Sequence, residues 1–187
     1  QEVEAVLAHL GMRGAKFVVS LEEKPESAGG VMQRCGPYGI DDIEFLISAN
    51  TGSPAKPLAK IASGGEISRV MLALKTILAE TDTVDTLVFD EIDTGIGGEI
   101  SVAVGAHLKK LAEKCQIFCI THVASIAVCA DNQIKIAKSS NSTSTVTQVR
   151  VIDGEDRVEE IARMLSGDSA GADALEYARS LLYGRAR

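Results

Sequence analysis

Apolar positions along the chain fall into stretches of two periods. At 2–10, Val3, Val6, Leu7 and Leu10 recur on one helical face, and Gly11 supplies a stop. Strand-like runs follow at 16–21 and 42–48. The stretch between them, 22–39, holds Pro25 and Pro37 and reads as a loop or hairpin connection, and 50–60, with Pro54 and Pro57, reads as another loop. From Gly64 the pattern changes: Ile67, Val70, Met71, Leu74 and Ile77 recur at helical spacing. A short apolar run at 86–89 closes on Asp90 and Glu91. A helix is predicted at 99–113, and a second apolar run at 117–120 closes on Thr121 and His122. Strands at 133–137 and 145–152 flank a polar turn at 138–144, and helices at 156–165 and 172–182 end the chain.

The middle of the chain therefore alternates helix, strand, helix, strand, and both strands are short and fully apolar. That pattern predicts buried parallel strands joined by crossover helices, an α/β arrangement. In such sheets ligands bind beyond the carboxyl ends of the strands, and both strands place polar residues there.

Composition narrows the classes. A chain of 187 residues suits one domain or one large lobe, and 45% hydrophobic content is enough for a sizeable core. Aromatics make up only 4% and Trp is absent, so core volume comes from Ile, Leu, Val and Ala. The net charge of -7 argues against a nucleic-acid surface on this segment, because such surfaces cluster Lys and Arg against phosphates. The end, 179–187, is mildly basic and reads as a solvated tail. No apolar run reaches the length of a membrane helix, and no secretory signal opens the chain. It begins with Gln1 and not Met, which fits a fragment or an edited sequence. Cys35, Cys115, Cys119 and Cys129 form no C-x-x-C pair, which favours free thiols over zinc or disulfides and a cytoplasmic location. His9 and His107 read as helix-surface residues.

Three constellations carry chemistry. Ser63-Gly64-Gly65-Glu66 precedes the long helix. Ser-x-x-Glu is by itself a capping box. The two glycines do not fit a pure cap, since each costs about 0.5–1 kcal/mol against Ala in a helix. Close approach of an anion to the N–H groups of the helix start is one reason to have them. The run Thr86-Leu87-Val88-Phe89-Asp90-Glu91 brings two carboxylates out at a strand end. An Asp there suits Mg²⁺, which takes few carboxylates plus phosphates and water, and a neighbouring Glu can polarise an attacking water. A solvated strand end explains the same acids without function. Third, His122 ends the next strand, where an imidazole can contact a terminal phosphate; a lone histidine is more often structural.

The order of the three resembles the second half of ATP-binding-cassette (ABC) ATPases, in which they are the signature loop, the Walker B acids and the switch histidine. The wording is closest to the RecN family of SMC-like double-strand-break repair proteins. Lys60-Ile61-Ala62-Ser63-Gly64-Gly65-Glu66 with Ser68 to Lys75, Asp90-Glu91-Ile92-Asp93-Thr94-Gly95-Ile96-Gly97-Gly98, and Arg157 to Leu165 carry the likeness, as does the loop from Asn50 to Leu58. It covers nearly the whole chain. One departure stands out: the family places Pro-Gln shortly after the switch histidine, where this chain has Val123-Ala124-Ser125.

The resemblance implies an α/β fold: the carboxy-terminal lobe of an ABC/SMC-type ATPase head, with a mostly parallel sheet, flanking helices and a short coiled-coil stub at the start. Residues 1–12 would end a coiled-coil arm and 13–187 form the lobe. It implies ATP and Mg²⁺, with Asp90 on the metal, Glu91 and His122 catalytic, and Ser63, Gly64, Gly65, Glu66 and Asp93 at nucleotide. The chain contains no Gly-Lys dipeptide and hence no P-loop. The implied partners are the amino-terminal half of the same head, a second head joined through ATP, and DNA through the full-length protein, in the bacterial nucleoid and at no membrane. Rival readings are another SMC or Rad50-like head and a non-catalytic assembly module; retention of Glu91 speaks against the latter. Transporter subunits fit poorly, because they commonly carry Gln where Glu66 stands and Pro where Ile92 stands.

Overall fold

The computed structural model describes residues 1–24, 35–37, 39–50, 52–140, 145–168 and 170–184. Most of the expected loop at 22–39, the tip of the expected turn at 138–144 and the last three residues of the tail lie outside them. In chain order the elements are α1 (Glu2–His9), β1 (Lys16–Glu23), β2 (Asp41–Ser48), β3 (Lys56–Pro57) with a 3-10 turn at Leu58–Lys60, α2 (Gly64–Leu78), β4 (Thr86–Phe89), α3 (Gly98–Leu111), β5 (Gln116–Cys119), α4 (Ala124–Ala127), β6 (Gln133–Ser140), β7 (Thr145–Ile152), α5 (Gly154–Ser166) and α6 (Ala172–Tyr183).

The fold is mixed α/β, but its sheets correct one expectation. Among the described residues only β4 and β5 pair in parallel, with Val88 opposite Phe118 and Phe89 opposite Cys119. β1–β2–β3 form an antiparallel sheet, and β6–β7 an antiparallel pair. The cause is connectivity. Parallel pairing needs a crossover, and α3 supplies one between β4 and β5, whereas β6 and β7 follow each other directly. Nor are β4 and β5 fully buried. Leu87, Phe89, Ile117 and Cys119 face the core, while Val88, Phe118 and Ile120 are 65%, 45% and 54% exposed. Alternation along a strand puts these three on one face, and the described helices cover the other.

The main core gathers Leu7 and Leu10 of the first helical segment, Ile47 of β2, Val70, Leu72 and Ala73 of α2, Phe89, Ile92, and Val104, Leu108 and Leu111 of α3. On α2 the inward positions are Val70, Leu72 and Ala73; Met71, expected inside, is 36% exposed. A second cluster joins Ala124 and Ala127 to Val158, Ile161 and Ala162 of α5 and Ala178 of α6. His107 also departs from its surface reading. It is half-buried, burial holds its imidazole below the ordinary range, and its ring centroid lies 6.5 Å from that of His9.

Two polar clamps fix α5. The Arg157 guanidinium donates to the carbonyls of Ala127 (3.3 Å) and Ala130 (2.7 Å) and to Gln133 Oε1 (3.2 Å), tying α5 to the end of α4 and the start of β6. Buried Glu160 accepts from Arg163 at 3.0 and 2.6 Å and pairs with Lys135 of β6. Arg163 and, after it, Lys135 hold its carboxyl below the ordinary glutamate range against the opposing effect of burial. A depressed folded value stabilises above the unfolded value, about 4.3 for glutamate. That stability is lost as pH falls through the folded value. Glu160→Gln is expected to cost about 1–3 kcal/mol at pH 7. Thermal unfolding against pH checks this: the gap between parent and variant closes as the pH drops below 4, about the range of the unfolded carboxyl.

Candidate site at the ends of the parallel strands

Register places the two acids and the histidine together. β4 ends at Phe89, so Asp90 and Glu91 leave its carboxyl end. β5 ends opposite it, the N–H of Ile120 donates to the Phe89 carbonyl at 2.9 Å, and Thr121 and His122 follow. Helix α2 starts beside them. Ser63 is its N-cap and accepts from the Glu66 N–H at 3.3 Å, so the capping half of that motif is real. One turn on, the Ser68 hydroxyl donates to the Asp90 carbonyl at 2.7 Å, which docks the helix start on the acidic strand end.

The glycines have reasons within the chain itself. A Cβ built on Gly64 would stand 2.1 Å from Glu91 Oε2, and one on Gly65 would stand 3.0 Å from the carbonyls of Glu91 and Thr94. In this structure the anion closest to the bare helix start is thus the Glu91 carboxylate, which suits the positive end of a helix. The two positions differ in kind. At Gly64 the obstacle is the tip of a flexible side chain; at buried Gly65 it is backbone.

Glu91 has φ +57, the only positive φ at a non-glycine among the described residues. Glutamate pays about 1–3 kcal/mol to hold such a conformation, and strain of this kind gathers at functional sites. Asp90 and Glu91 are both exposed. Asp90 Oδ1 accepts the Glu91 N–H at 2.8 Å, which keeps its carboxylate at the strand end. A single exposed carboxylate there fits Mg²⁺, which completes its shell with water and phosphate. Among the described residues no group of three or more His, Cys, Asp or Glu gathers as a closed metal cage.

Asp93 sits differently from Asp90 and Glu91. It is 4% exposed, and its Oδ2 accepts from the Thr121 hydroxyl at 2.6 Å and the His122 N–H at 2.9 Å, with His122 Nδ1 at 3.1 Å. Its carboxylate faces the Thr121–His122 segment that follows β5. The His122 side chain is otherwise open, 81% exposed. Cys119, at the end of β5, has its thiol pushed up to about 12 by burial and then by Asp93 and Asp90, so it stays protonated and packs as an apolar group.

Arg69, Ser68 and Thr121 belong to the site although sequence patterning gave them no role. Arg69 is 6% exposed on the core side of α2, and its Nη1 donates to the carbonyls of Ile92 (3.2 Å) and Thr94 (3.0 Å). Burial lowers its guanidinium from the ordinary range, Glu66 opposing, and its Nε has no partner among the described residues. A charged residue beside an apolar stripe was the one available signal, since a guanidinium is placed inside only with partners. Ser125, in the stretch after His122, has its hydroxyl 2.7 Å from that of Ser101.

No family model matches the chain. Curated relatives do. The chain is 54% identical over 185 residues to the DNA repair protein RecN of Treponema pallidum, covering 99% of this chain and 32% of that protein. It is 45% identical to RecN of Deinococcus radiodurans (96% of this chain, 30% of that protein) and 42% identical to RecN of Streptomyces coelicolor (96% and 32%). In solved structures, the fold matches the Smc head domain with a coiled coil and joint from Pyrococcus yayanosii, at a TM-score of 0.57 and 19% identity over 88% of this chain and 28% of that one. It also matches the Smc head domain with an extended coiled coil, bound to the C-terminal domain of ScpA, from Pyrococcus furiosus, at 0.53 and 20% over 88% and 36%. The first set spans nearly every residue of this chain, and the second gives it the fold of an SMC-type head. Over nearly all of its length the chain is similar to RecN DNA repair proteins, and it spans about a third of the length of these curated relatives.

Proposed function

We propose that the chain is the carboxy-terminal lobe of an ATPase head that acts in double-strand-break repair and recombination, and that it works only when joined to an amino-terminal lobe carrying the P-loop. The observation that carries this reading is the convergence of a capped glycine start, two exposed acids and a histidine at the carboxyl ends of one parallel strand pair. In this reading Asp90 holds Mg²⁺, Glu91 polarises the attacking water, and His122 touches the terminal phosphate of the nucleotide on its own head. Ser63, Gly64, Gly65 and Glu66 form the helix start that meets the nucleotide of a second, identical head. ATP is then held between two heads, and the metal neutralises charge on its phosphates. Helix α1 is the foot of a coiled-coil arm, and DNA is bound by the full-length protein.

Uncovered apolar faces support the missing lobe. Val88, Phe118 and Ile120 form one; Val19, Leu21, Ile43 and Phe45 form a second on β1–β2; Ile134, Ile136, Val149 and Val151 form a third on β6–β7, all between 43% and 70% exposed. Several such faces on one chain mark surfaces made to be covered. No helix among the described residues is long and apolar enough to cross a membrane.

The test is complementation. The chain and the amino-terminal part of the same protein are produced separately, and phosphate release from ATP is followed. Turnover is expected from the mixture with Mg²⁺ and from neither part alone. Clear Mg²⁺-dependent turnover by the chain alone would sink the split-head reading.

A further inference from the structure

We infer that Asp93 is a positioning residue for His122, anchored in turn by Arg69 of helix α2. The inference rests on the role given to His122 above. A carboxylate that is 4% exposed must be matched by donors, or it costs several kcal/mol. Asp93 has them on one oxygen, the Thr121 hydroxyl at 2.6 Å and the His122 N–H at 2.9 Å, and His122 Nδ1 lies 3.1 Å from the same oxygen. Backbone and ring of the same histidine are therefore held from one point. The ring has little else to hold it, being 81% exposed. The Thr121 hydroxyl extends the brace by accepting the Val123 N–H at 3.0 Å, which fixes the bend after β5.

Asp93 is itself held from the other side. Arg69 bridges the carbonyls of Ile92 and Thr94, the residues that flank it. One guanidinium across two carbonyls fixes the peptide path through Asp93, which an ammonium on a flexible stem does less well. Ser68, next in the helix, holds the Asp90 carbonyl. The helix whose start carries Ser63 to Glu66 thus braces both the acids and, through Asp93, the histidine. Asp93 serves the reaction by fixing the histidine rather than by touching nucleotide.

A double-mutant cycle in the full-length protein tests this, with Asp93→Asn, His122→Ala and the pair. Steady-state phosphate release gives kcat and KM, and backbone amide exchange without nucleotide gives the local bond. Asp93→Asn is expected to lower kcat about tenfold to a hundredfold, as loss of an orienting partner does. KM stays within about twofold, since Asp93 itself makes no contact with nucleotide. In the His122→Ala background the same change costs no further turnover. The His122 amide exchanges about tenfold faster in Asp93→Asn, the mark of a lost charge-assisted bond. Equal losses in both backgrounds, or unchanged exchange, overturn the assignment while leaving His122 at the nucleotide. Parental turnover in His122→Ala alone overturns both. If Asp93→Asn does not fold, Arg69→Lys replaces it in the same cycle. A loss that vanishes without the histidine supports the relay, and an additive loss overturns it.

Discussion

Full-length protein carrying Glu91→Gln is expected to bind ATP as the parent does and to turn it over about 10²–10⁴-fold more slowly, the usual worth of a general base. The amide keeps the length and shape of the side chain, so the strained backbone at φ +57 is the same in both proteins. Glutamine also fits beside Gly64, where Glu91 Oε2 now lies. Thermal unfolding should therefore be unchanged within about 0.5 kcal/mol, as for other exposed substitutions. What is lost is the negative charge that draws a proton from water. The ATP-bound dimer, no longer resolved by hydrolysis, is expected to persist on size-exclusion chromatography. Parental turnover would show that another group acts as base, and loss of ATP binding would show that Glu91 serves the ground state.

Much of the site was legible because its signals are local. Strand β4 at 86–89 and strand β7 at 145–152 have the bounds their apolar runs predict, and α2 begins at the glycine pair after Ser63. A strand that runs into Asp-Glu announces its own end. Pairing partners are less local: the connection at 22–39 and the polar turn at 138–144 allowed antiparallel ladders, but β1 and β6 have strand composition whichever way their neighbours run. Helix α4 spans only Ala124–Ala127, too short for any period to register. Burial of β4 and β5 on both faces followed from their apolar composition, yet that composition also fits a face awaiting another part of the protein. It records what the strand is built for, and this chain alone leaves Val88 and Phe118 open.

The residues that sequence patterning missed share a cause. Arg69 is inside because two carbonyls, brought from more than 20 positions away, receive it. Thr121 matters because Asp93 stands beside it. The glycine pair stood out in the sequence and was only half explained, because the contact at Gly64 depends on a carboxylate that the chain delivers from Glu91.

That contact shapes the second large expectation. Gly64→Gln in the full-length protein is expected to fold and to bind ATP, yet to lose ATP-induced dimerisation and about 10²–10³-fold of turnover, the scale of a lost transition-state contact. Gly64 is the better position for the test. Its added Cβ meets only the end of the Glu91 side chain, which can swing aside, whereas at Gly65 it would press on the carbonyls of Glu91 and Thr94. Ser63 and Glu66 remain to cap the helix, and glutamine is a better helix former than glycine. The loss then has two possible origins: the new side chain blocks the facing head's nucleotide, or it displaces Glu91 in its own head. Mixing the variant with a head whose P-loop is disabled separates them. In the mixed dimer one site combines the variant's own P-loop, Asp90 and Glu91 with the partner's intact Ser63–Gly65 loop. If the helix start acts on the facing nucleotide, that site works and the mixture recovers turnover that neither parent shows. If displacement of Glu91 is the cause, the same site carries the damage and stays silent while mixed dimers form. Recovery would assign the Ser63–Gly65 start to the facing head, and silence would assign the glycine to the seating of Glu91.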